Sequence, residues 1–337
     1  VTGTNGKTTT KELVASILGK KMKVHFTRSN LNNEIGVPLT ILSAPPDTEF
    51  MVIEMGANHI GEIRTLCNIA RPDFGIITNI GTAHIEGFGS WEGVVRAKTE
   101  LYEYLRKVNG IAFYNDENNI LKQKIFRLVN RAVPFSAPAG IPLSVQAVPS
   151  ENYLRVVITY RNESHEVSTK LFGSYNLENI KAAVAISLFM GAGMNDIVDS
   201  LQNYNPANNR SQFKKTDRNT LICDSYNANP TSMSLALKDF SALKAGRKMV
   251  ILGDMFELGP VSDEEHQKIL DLVGSLNFDR VFLAGPVFCK MNKEKSFMCF
   301  KNTELLCEEL KKNPVNGYHI LIKGSRGMSL EKTYDLL

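Results

Sequence analysis

Three observations predict an α/β chain of two domains. Short apolar runs alternate with amphipathic helical stretches along most of the sequence. The string TGTNGKTTT at residues 2–10 sets glycines, a lysine and a threonine in an order that suits a phosphate-binding turn opening a helix. At 337 residues the chain can bury two ordinary cores. The alternation favours a mostly parallel sheet covered by helices in each domain, because parallel neighbours need a crossover between them.

Taken in order, residues 8–18 read as a helix: Leu13, Val14, Ile17 and Leu18 recur at helical spacing, and Gly19 ends it. After the polar loop SNLNNEIG, Pro38 starts a short helix, and FMVIEM at 50–55 reads as a buried strand. A helix over 59–70, a turn at Arg71, Pro72 and Asp73, a strand over 74–80, a helix over 91–105 and a strand over 111–114 continue the pattern. Between 133 and 171 the texture changes. Strand-like runs at 143–148, 153–160 and 165–171, with alternation in LRVVITY, predict a small antiparallel patch appended to the first sheet. Helices over 176–190 and 196–204 close the first domain. NPANNR at 205–210 is rich in turn formers and is the candidate linker, which gives domains 1–206 and 207–337. Beyond it, strands at 221–224, 249–253, 281–285, 297–300 and 319–323 alternate with helices.

Composition narrows the class. Hydrophobic residues make up 43% and charged residues 22%, with no apolar run long enough to span a bilayer. A formal charge of +4 without a basic block gives no case for nucleic acid. The five cysteines, Cys67, Cys223, Cys289, Cys299 and Cys307, are odd in number and show no C-x-x-C spacing, so thiols in a reducing cytosol are expected. The chain opens on Val1 directly into the glycine loop, where a buried strand is expected, so a fragment of a longer protein is expected, without a signal peptide.

The chemistry concentrates at strand ends. Gly3 and Gly6 permit backbone angles that turn successive N–H groups onto one anion, Lys7 adds a point charge, and Thr8 can offer its hydroxyl to Mg²⁺. Only Thr4 and Asn5 separate the glycines, a shorter spacing than the usual four residues; a plain glycine turn capping a surface helix is the alternative. Glu54 ends the FMVIEM strand and His84 follows TNI, so both face the carboxyl ends of strands, where ligands collect in open α/β sheets. A carboxylate suits Mg²⁺ and a histidine is a less usual ligand for it; a solvated acid and a capped loop are the alternatives.

The strings GTNGKTTT, VIEMGANHIGEI, TNIGTAHIEGFGS with RAKTEL, GSYNLENIKAA, DSYNANPTSM, GDMFELG and LIKGSRGM together resemble the Mur ligase family, through nearly the whole chain. That resemblance implies an amino-terminal domain for a UDP-sugar, a central P-loop ATPase domain and a Rossmann-like carboxyl-terminal domain, of which this chain would hold the second and third. It implies that Gly3, Thr4, Asn5, Gly6, Lys7, Thr8 and Thr9 cradle the phosphates of ATP. Thr8 and Glu54 would serve one Mg²⁺, and His84 with Lys98 a second, Lys98 being carbamylated. An ammonium cannot ligate a cation, whereas its CO₂ adduct is a carboxylate on a long arm. By composition alone Lys98 belongs to the solvated face of the 91–105 helix.

Also by resemblance, Asn179 reads the adenine edge, with a helix cap as its alternative role, and Arg210 and Asp224 approach phosphates and ribose. Tyr226, Asn227 and Asn229 belong to a neighbouring signature. Lys323, Ser325 and Arg326 occupy a strand-to-turn position that suits a carboxylate or phosphate of the acceptor, or is simply a basic surface turn. Asp254 and Glu257 fit a structural role equally well, and the loop Asn30 to Glu34, with Asn32, either meets substrate or caps the helix at Pro38.

The implied activity is ATP-dependent amide ligation of D-alanyl-D-alanine to UDP-MurNAc-tripeptide through an acyl phosphate, in bacterial cytoplasmic peptidoglycan precursor synthesis. Lys7, His84 and Lys98 would be catalytic, residues 205–210 the hinge, and the protein a monomer. The 337 residues alone are expected to bind ATP without ligating. The alternatives are another ligase of this fold, such as one adding glutamate to folate, and a nucleotide-binding regulator without catalysis.

Overall fold

The computed structural model describes every residue except 83–84, 152, 207–208 and 294–295. Its contacts divide the chain into two units: Val1–Pro149, Leu154–Thr169 and Tyr175–Tyr204 form the first, and Ser150–Tyr153, Lys170–Ser174 and Asn205–Leu337 the second.

In the first unit the left-handed Gly6 launches α1 (Lys7–Leu18), which buries Leu13, Val14, Ile17 and Leu18 and ends at Gly19. Two parallel sets of strands follow. β1 (Val24–Phe26) pairs with β2 (Phe50–Val52), with α2 (Gly36–Leu42) between them in sequence. β3 (Phe74–Ile76), β4 (Ile111–Tyr114) and β5 (Arg131–Pro134) form the second set. Residues 1 and 2 join the two sets. The Val1 amine donates to Ile53 O and Met55 N donates to Val1 O, while Thr2 N donates to Ile76 O and Thr78 N to Thr2 O. The glycine loop therefore leaves the middle of the sheet.

Between the strands lie α3 (Glu62–Ala70), α4 (Ile85–Phe88), α5 (Trp91–Lys107) and α6 (Asn119–Leu128). Met55, Ile63, Leu66, Val94, Ala97, Leu101 and Leu105 lock α3 and α5 into one core. β6 (Leu143–Val148), β7 (Arg155–Tyr160) and β8 (Glu163–Ser168) form the antiparallel patch. α7 (Asn176–Phe189) then packs along α1, as does α8 (Met194–Asn203).

The second unit is a six-stranded sheet. Its strands are β9 (Gln212–Lys215), β10 (Thr220–Asp224), β11 (Arg247–Gly253), β12 (Arg280–Ala284), β13 (Met298–Phe300) and β14 (Tyr318–Lys323). Their order is β13-β12-β11-β14-β10-β9, parallel throughout except for β9. α9 (Pro230–Ala242), α10 (Ser262–Ser275), α11 (Pro286–Met291) and α12 (Thr303–Lys312) supply the crossovers. Leu221, Met249, Ile251, Phe282, Ile320 and Ile322 build the core on one side. β14 lies between β10 and β11, so the strand order reverses there, and Asp224, Asp254 and Lys323 stand at adjacent carboxyl ends.

Several expectations need correction. The strands expected over 50–55 and 74–80 end at Val52 and Ile76, because the residues after them pair with Val1 and Thr2 instead of with a full strand. The helix expected from 59 starts at Glu62, since Gly61 is left-handed (φ 97°) and Glu62 itself takes the N–H groups of Asn58 and His59. β1, β5, β9, α4 and α6 were not anticipated; β1, β5 and β9 are short strands without a fully buried face to announce them. The cysteines are not all thiols: Cys289 of α11 and Cys299 of β13 form a disulfide. Their ten-residue separation matches no motif, and it is the return of β13 beside β12 that brings them together. Among the described residues no helix is long and apolar enough to cross a membrane.

Candidate active site

The glycine loop is shaped by close contacts that leave no room for side chains. A Cβ on Gly3 (φ 139°) would sit 2.0 Å from Thr78 Oγ1, and one on Gly6 (φ 79°) 2.1 Å from Asn179 Oδ1. The loop is then tied down from the strand end beside it. Asn79 Oδ1 accepts from Asn5 N at 2.9 Å, and Thr78 Oγ1 donates to Asn5 O at 2.6 Å. Lys7 Nζ donates to the Gly3 and Thr4 carbonyls at 2.9 and 3.0 Å. A cradle that a Cβ would fill, with a cation folded against it at a helix N-terminus, fits a nucleotide phosphate.

Asn179 lies inside the first turn of α7 and does not cap it. Its Nδ2 donates to Asn176 Oδ1 at 2.9 Å, and its Oδ1 accepts from Thr10 Oγ1 at 3.2 Å, which fixes the amide against Gly6 and α1. Thr9 is buried one turn from the loop.

Thr8 and Glu54 meet. Both are buried, and Thr8 Oγ1 donates to Glu54 Oε1 at 3.1 Å. Asn32 Nδ2 donates to the same oxygen at 2.9 Å, so Asn32 stands beside the candidate metal position, while Asn33 of the same loop accepts from Gly36 N at 2.8 Å at the start of α2. A hydroxyl and a carboxylate are hard oxygen donors of the kind Mg²⁺ takes, with phosphates and water completing its shell. Among the described residues no group of three or more His, Cys, Asp or Glu side chains could hold a metal without such help. Lys11, fully buried, lies 3.5 Å from Glu54 Oε2 and offsets the cost of burying that charge.

Lys98 is 2% exposed, which overturns its assignment to a solvated face. Val94, Leu101, Tyr102 and Leu105 are buried on the same side of α5, and Lys98 falls within that stripe. Its Nζ donates to Ala57 O at 3.3 Å and lies 5.3 Å from the centre of the Phe88 ring. Burial, assisted by the charge of Lys7, brings its amine down to about 7. The neutral amine is the form that adds CO₂, and a value lowered to about 7 leaves a substantial neutral fraction near pH 7, so the residue fits carbamylation. His84 lies outside the described residues.

In the second unit Asp224 accepts from Ser211 N at 3.0 Å and pairs with Lys323 Nζ at 2.6 Å. The Arg210 guanidinium stacks 3.6 Å from the centre of the Tyr226 ring, and its Nε has no partner among the described residues. Arg326 approaches the same ring at 5.8 Å and pairs with Glu331 at 3.3 Å. Ser325 Oγ accepts from Phe256 N at 2.8 Å, and Asn229 caps α9 through a reciprocal bond with Ser232. Lys323, Ser325 and Asn229 thus carry internal bonds, and Tyr226 is half-buried; Asn227, whose Oδ1 accepts from Ala228 N at 2.9 Å, and Arg326 are exposed.

Asp254 is structural. Fully buried, it accepts from Val287 N and Phe288 N at 2.9 Å each, at the start of α11. Glu257 occupies a left-handed turn (φ 62°) in the same loop. Beside Asp254, His266 is held neutral: its Nδ1 donates to Ser262 O at 2.7 Å and its Nε2 accepts from Met255 N at 3.0 Å. Burial lowers its affinity for a proton, against the opposing charges of Asp254, Asp263 and Glu265. A lowered folded value means that the stability it provides is full above the unfolded value near 6.5 and is lost as pH falls through the folded one. Between pH 7 and 5 the wild type should therefore lose stability faster than His266→Gln, by at most about 1.4 kcal/mol per pH unit. Urea denaturation at both pH values checks this, and equal slopes would refute it.

Sequence reasoning passed over Asn79, Lys11 and His266. Asn79 carries a usable signal, an amide at a strand end beside the loop. Lys11 is marked only by its spacing, three residues after Thr8 on α1.

Residues 1–187 match the Mur ligase middle domain, and residues 209–326 match the glutamate ligase domain of Mur ligases. The UDP-N-acetylmuramoyl-tripeptide–D-alanyl-D-alanine ligase of Bacillus subtilis is 34% identical over 98% of this chain and 74% of that protein. Its Escherichia coli counterpart is 32% identical over 100% of this chain and 76% of that protein. The structure of MurF from Thermotoga maritima in complex with ADP superposes with a TM-score of 0.86 at 26% identity, covering 100% of this chain and 78% of that one. MurF from Acinetobacter baumannii gives a TM-score of 0.84 at 31% identity, over 99% of this chain and 75% of that one. Folylpolyglutamate synthase of Thermotoga maritima, at 13% identity and a TM-score of 0.68, shares the fold alone. On the two domain matches and these relatives, the chain belongs to the Mur ligase family.

Proposed function

We propose that the chain carries the ATP-dependent ligation of D-alanyl-D-alanine to UDP-MurNAc-tripeptide, a step in the synthesis of peptidoglycan precursors. The observation that carries this reading is the side-chain-free cradle at Gly3 and Gly6, with Thr8 and Glu54 in contact beside it. Relatives of that activity extend over nearly the whole chain.

The terminal carboxylate of the tripeptide attacks the γ-phosphorus of ATP, and ADP leaves. The amine of D-alanyl-D-alanine then attacks the acyl carbon of the resulting acyl phosphate, loses a proton and displaces phosphate. Residues 3–9 bind and orient the nucleotide phosphates, and Lys7 exchanges its two loop carbonyls for phosphate oxygens. Asn179 faces the adenine; Arg210 and Asp224 serve phosphate and ribose. Mg²⁺ held by Thr8 and Glu54, and a second ion held by His84 and carbamylated Lys98, would offset the charge developing on the transferred phosphoryl group. Asn32, Tyr226, Asn229, Lys323, Ser325 and Arg326 would contact the substrates. The central domain comprises residues 1–206 and the carboxyl-terminal domain 207–337, and the protein acts as a monomer.

A protein containing this chain, given ATP, Mg²⁺ and UDP-MurNAc-tripeptide, should release phosphate in step with product only when D-alanyl-D-alanine is supplied. Equal release with D-glutamate or L-lysine as acceptor would overturn the reading.

A further inference from the structure

Glu100 stands two residues after Lys98 on α5, 1% exposed, and the chemistry above does not use it. Its two carboxylate oxygens are divided between two backbone donors: Oε1 accepts from Gly61 N at 2.7 Å and Oε2 from Arg64 N at 3.0 Å. Both belong to the start of α3, where N–H groups lack partners within the helix and the dipole favours a negative charge. A helix is ordinarily capped by Ser, Thr, Asp or Asn of its own segment. Here the capping position is Gly61, which has no side chain to offer, and the carboxylate comes from another helix.

That arrangement reaches the site. Residues 55–61 connect Glu54 to α3, and Ala57 O, within them, is the acceptor for Lys98 Nζ. Glu62 holds the same loop from its own end, its Oε2 accepting from Asn58 N at 2.7 Å and His59 N at 3.0 Å. The Arg64 guanidinium, 3.6 Å from Glu100 and 3.4 Å from Glu103, closes the outer side. One turn of α5 therefore carries both the amine that meets the loop and the carboxylate that fixes it.

We infer that Glu100 is a positioning residue for Lys98: by capping α3 it sets the spacing between α5 and the loop after Glu54, and so aims the Lys98 amine. The inference rests on the assignment of Lys98 as a carbamylated metal ligand.

The test compares wild type and Glu100→Gln, in a protein containing this chain, after equilibration with ¹³C-bicarbonate. The glutamine keeps the size of the side chain but points an N–H at one of the two backbone donors. The expected result is a carbamate ¹³C signal and a kcat each reduced by about tenfold or more, with KM for ATP within about twofold of wild type. Should Glu100→Gln not fold, Glu62→Gln, which loosens the same loop and leaves α5 untouched, must give the same pattern. A folded variant whose carbamate signal and kcat both stay within about twofold of wild type would overturn the inference. Wild type that ligates without any carbamate signal removes the Lys98 assignment, and this inference with it, while leaving the proposed activity standing.

Discussion

Lys98→Met should abolish the carbamate ¹³C signal, lower ligation by about 10²- to 10³-fold, and at the same time raise stability in CO₂-free, metal-free buffer. The two effects come from one cause. Lys98 is buried among Val94, Leu101 and Tyr102, with a single carbonyl, Ala57 O, as its hydrogen-bond acceptor among the described residues. A lysine in that position costs solvation that one weak bond does not return, and a methionine of similar length fills the space without a charge. The gain should be on the order of 1–3 kcal/mol, the cost of burying a polar group with an incomplete set of hydrogen bonds. Thermal or urea unfolding in degassed buffer measures it. A variant that is both less stable and fully active would mean that Lys98 is an ordinary core residue.

Lys7→Ala should lower ligation by about 10²- to 10³-fold while moving the unfolding midpoint little. Lys7 is half-buried and donates to the carbonyls of Gly3 and Thr4, whereas the loop's shape is held by Asn79, Thr78 and the two glycines. Removing the ammonium therefore leaves the cradle and deletes the charge. Affinity for ADP, measured by calorimetry, should fall alongside the rate. Ligation within about twofold of wild type would take Lys7 out of the phosphate site.

What could be read in advance followed the range of the interaction. The α/β class, the antiparallel patch and the glycine loop are written in spacings of two to eight residues, and Gly3, Gly6, Lys7 and Thr8 fall where such a loop requires them. Glu54 was placed by its strand end. The residues that give the site its precision were harder. Asn79 meets Asn5 from 74 positions away, and Glu100 meets Gly61 across 39, so neither pairing has a local pattern. Lys98 did carry one, since 94, 98, 101, 102 and 105 form a single helical stripe. It was hidden because a lysine is presumed solvated. The disulfide escaped for the opposite reason: Cys289 and Cys299 are close in sequence, but only the geometry of α11 and β13 makes them neighbours.

The position of β14 in the second sheet also bears on how the protein is made. This strand, residues 318–323, lies between β10 and β11, although the ribosome delivers it about a hundred residues after β10. Until it emerges, the nascent chain holds β11, β12 and β13 as a half-sheet with an open edge, and β10 has only the antiparallel β9 beside it. Asp224 waits equally long for Lys323. A nascent unit of this topology leaves strand edges open until β14 is delivered to close them.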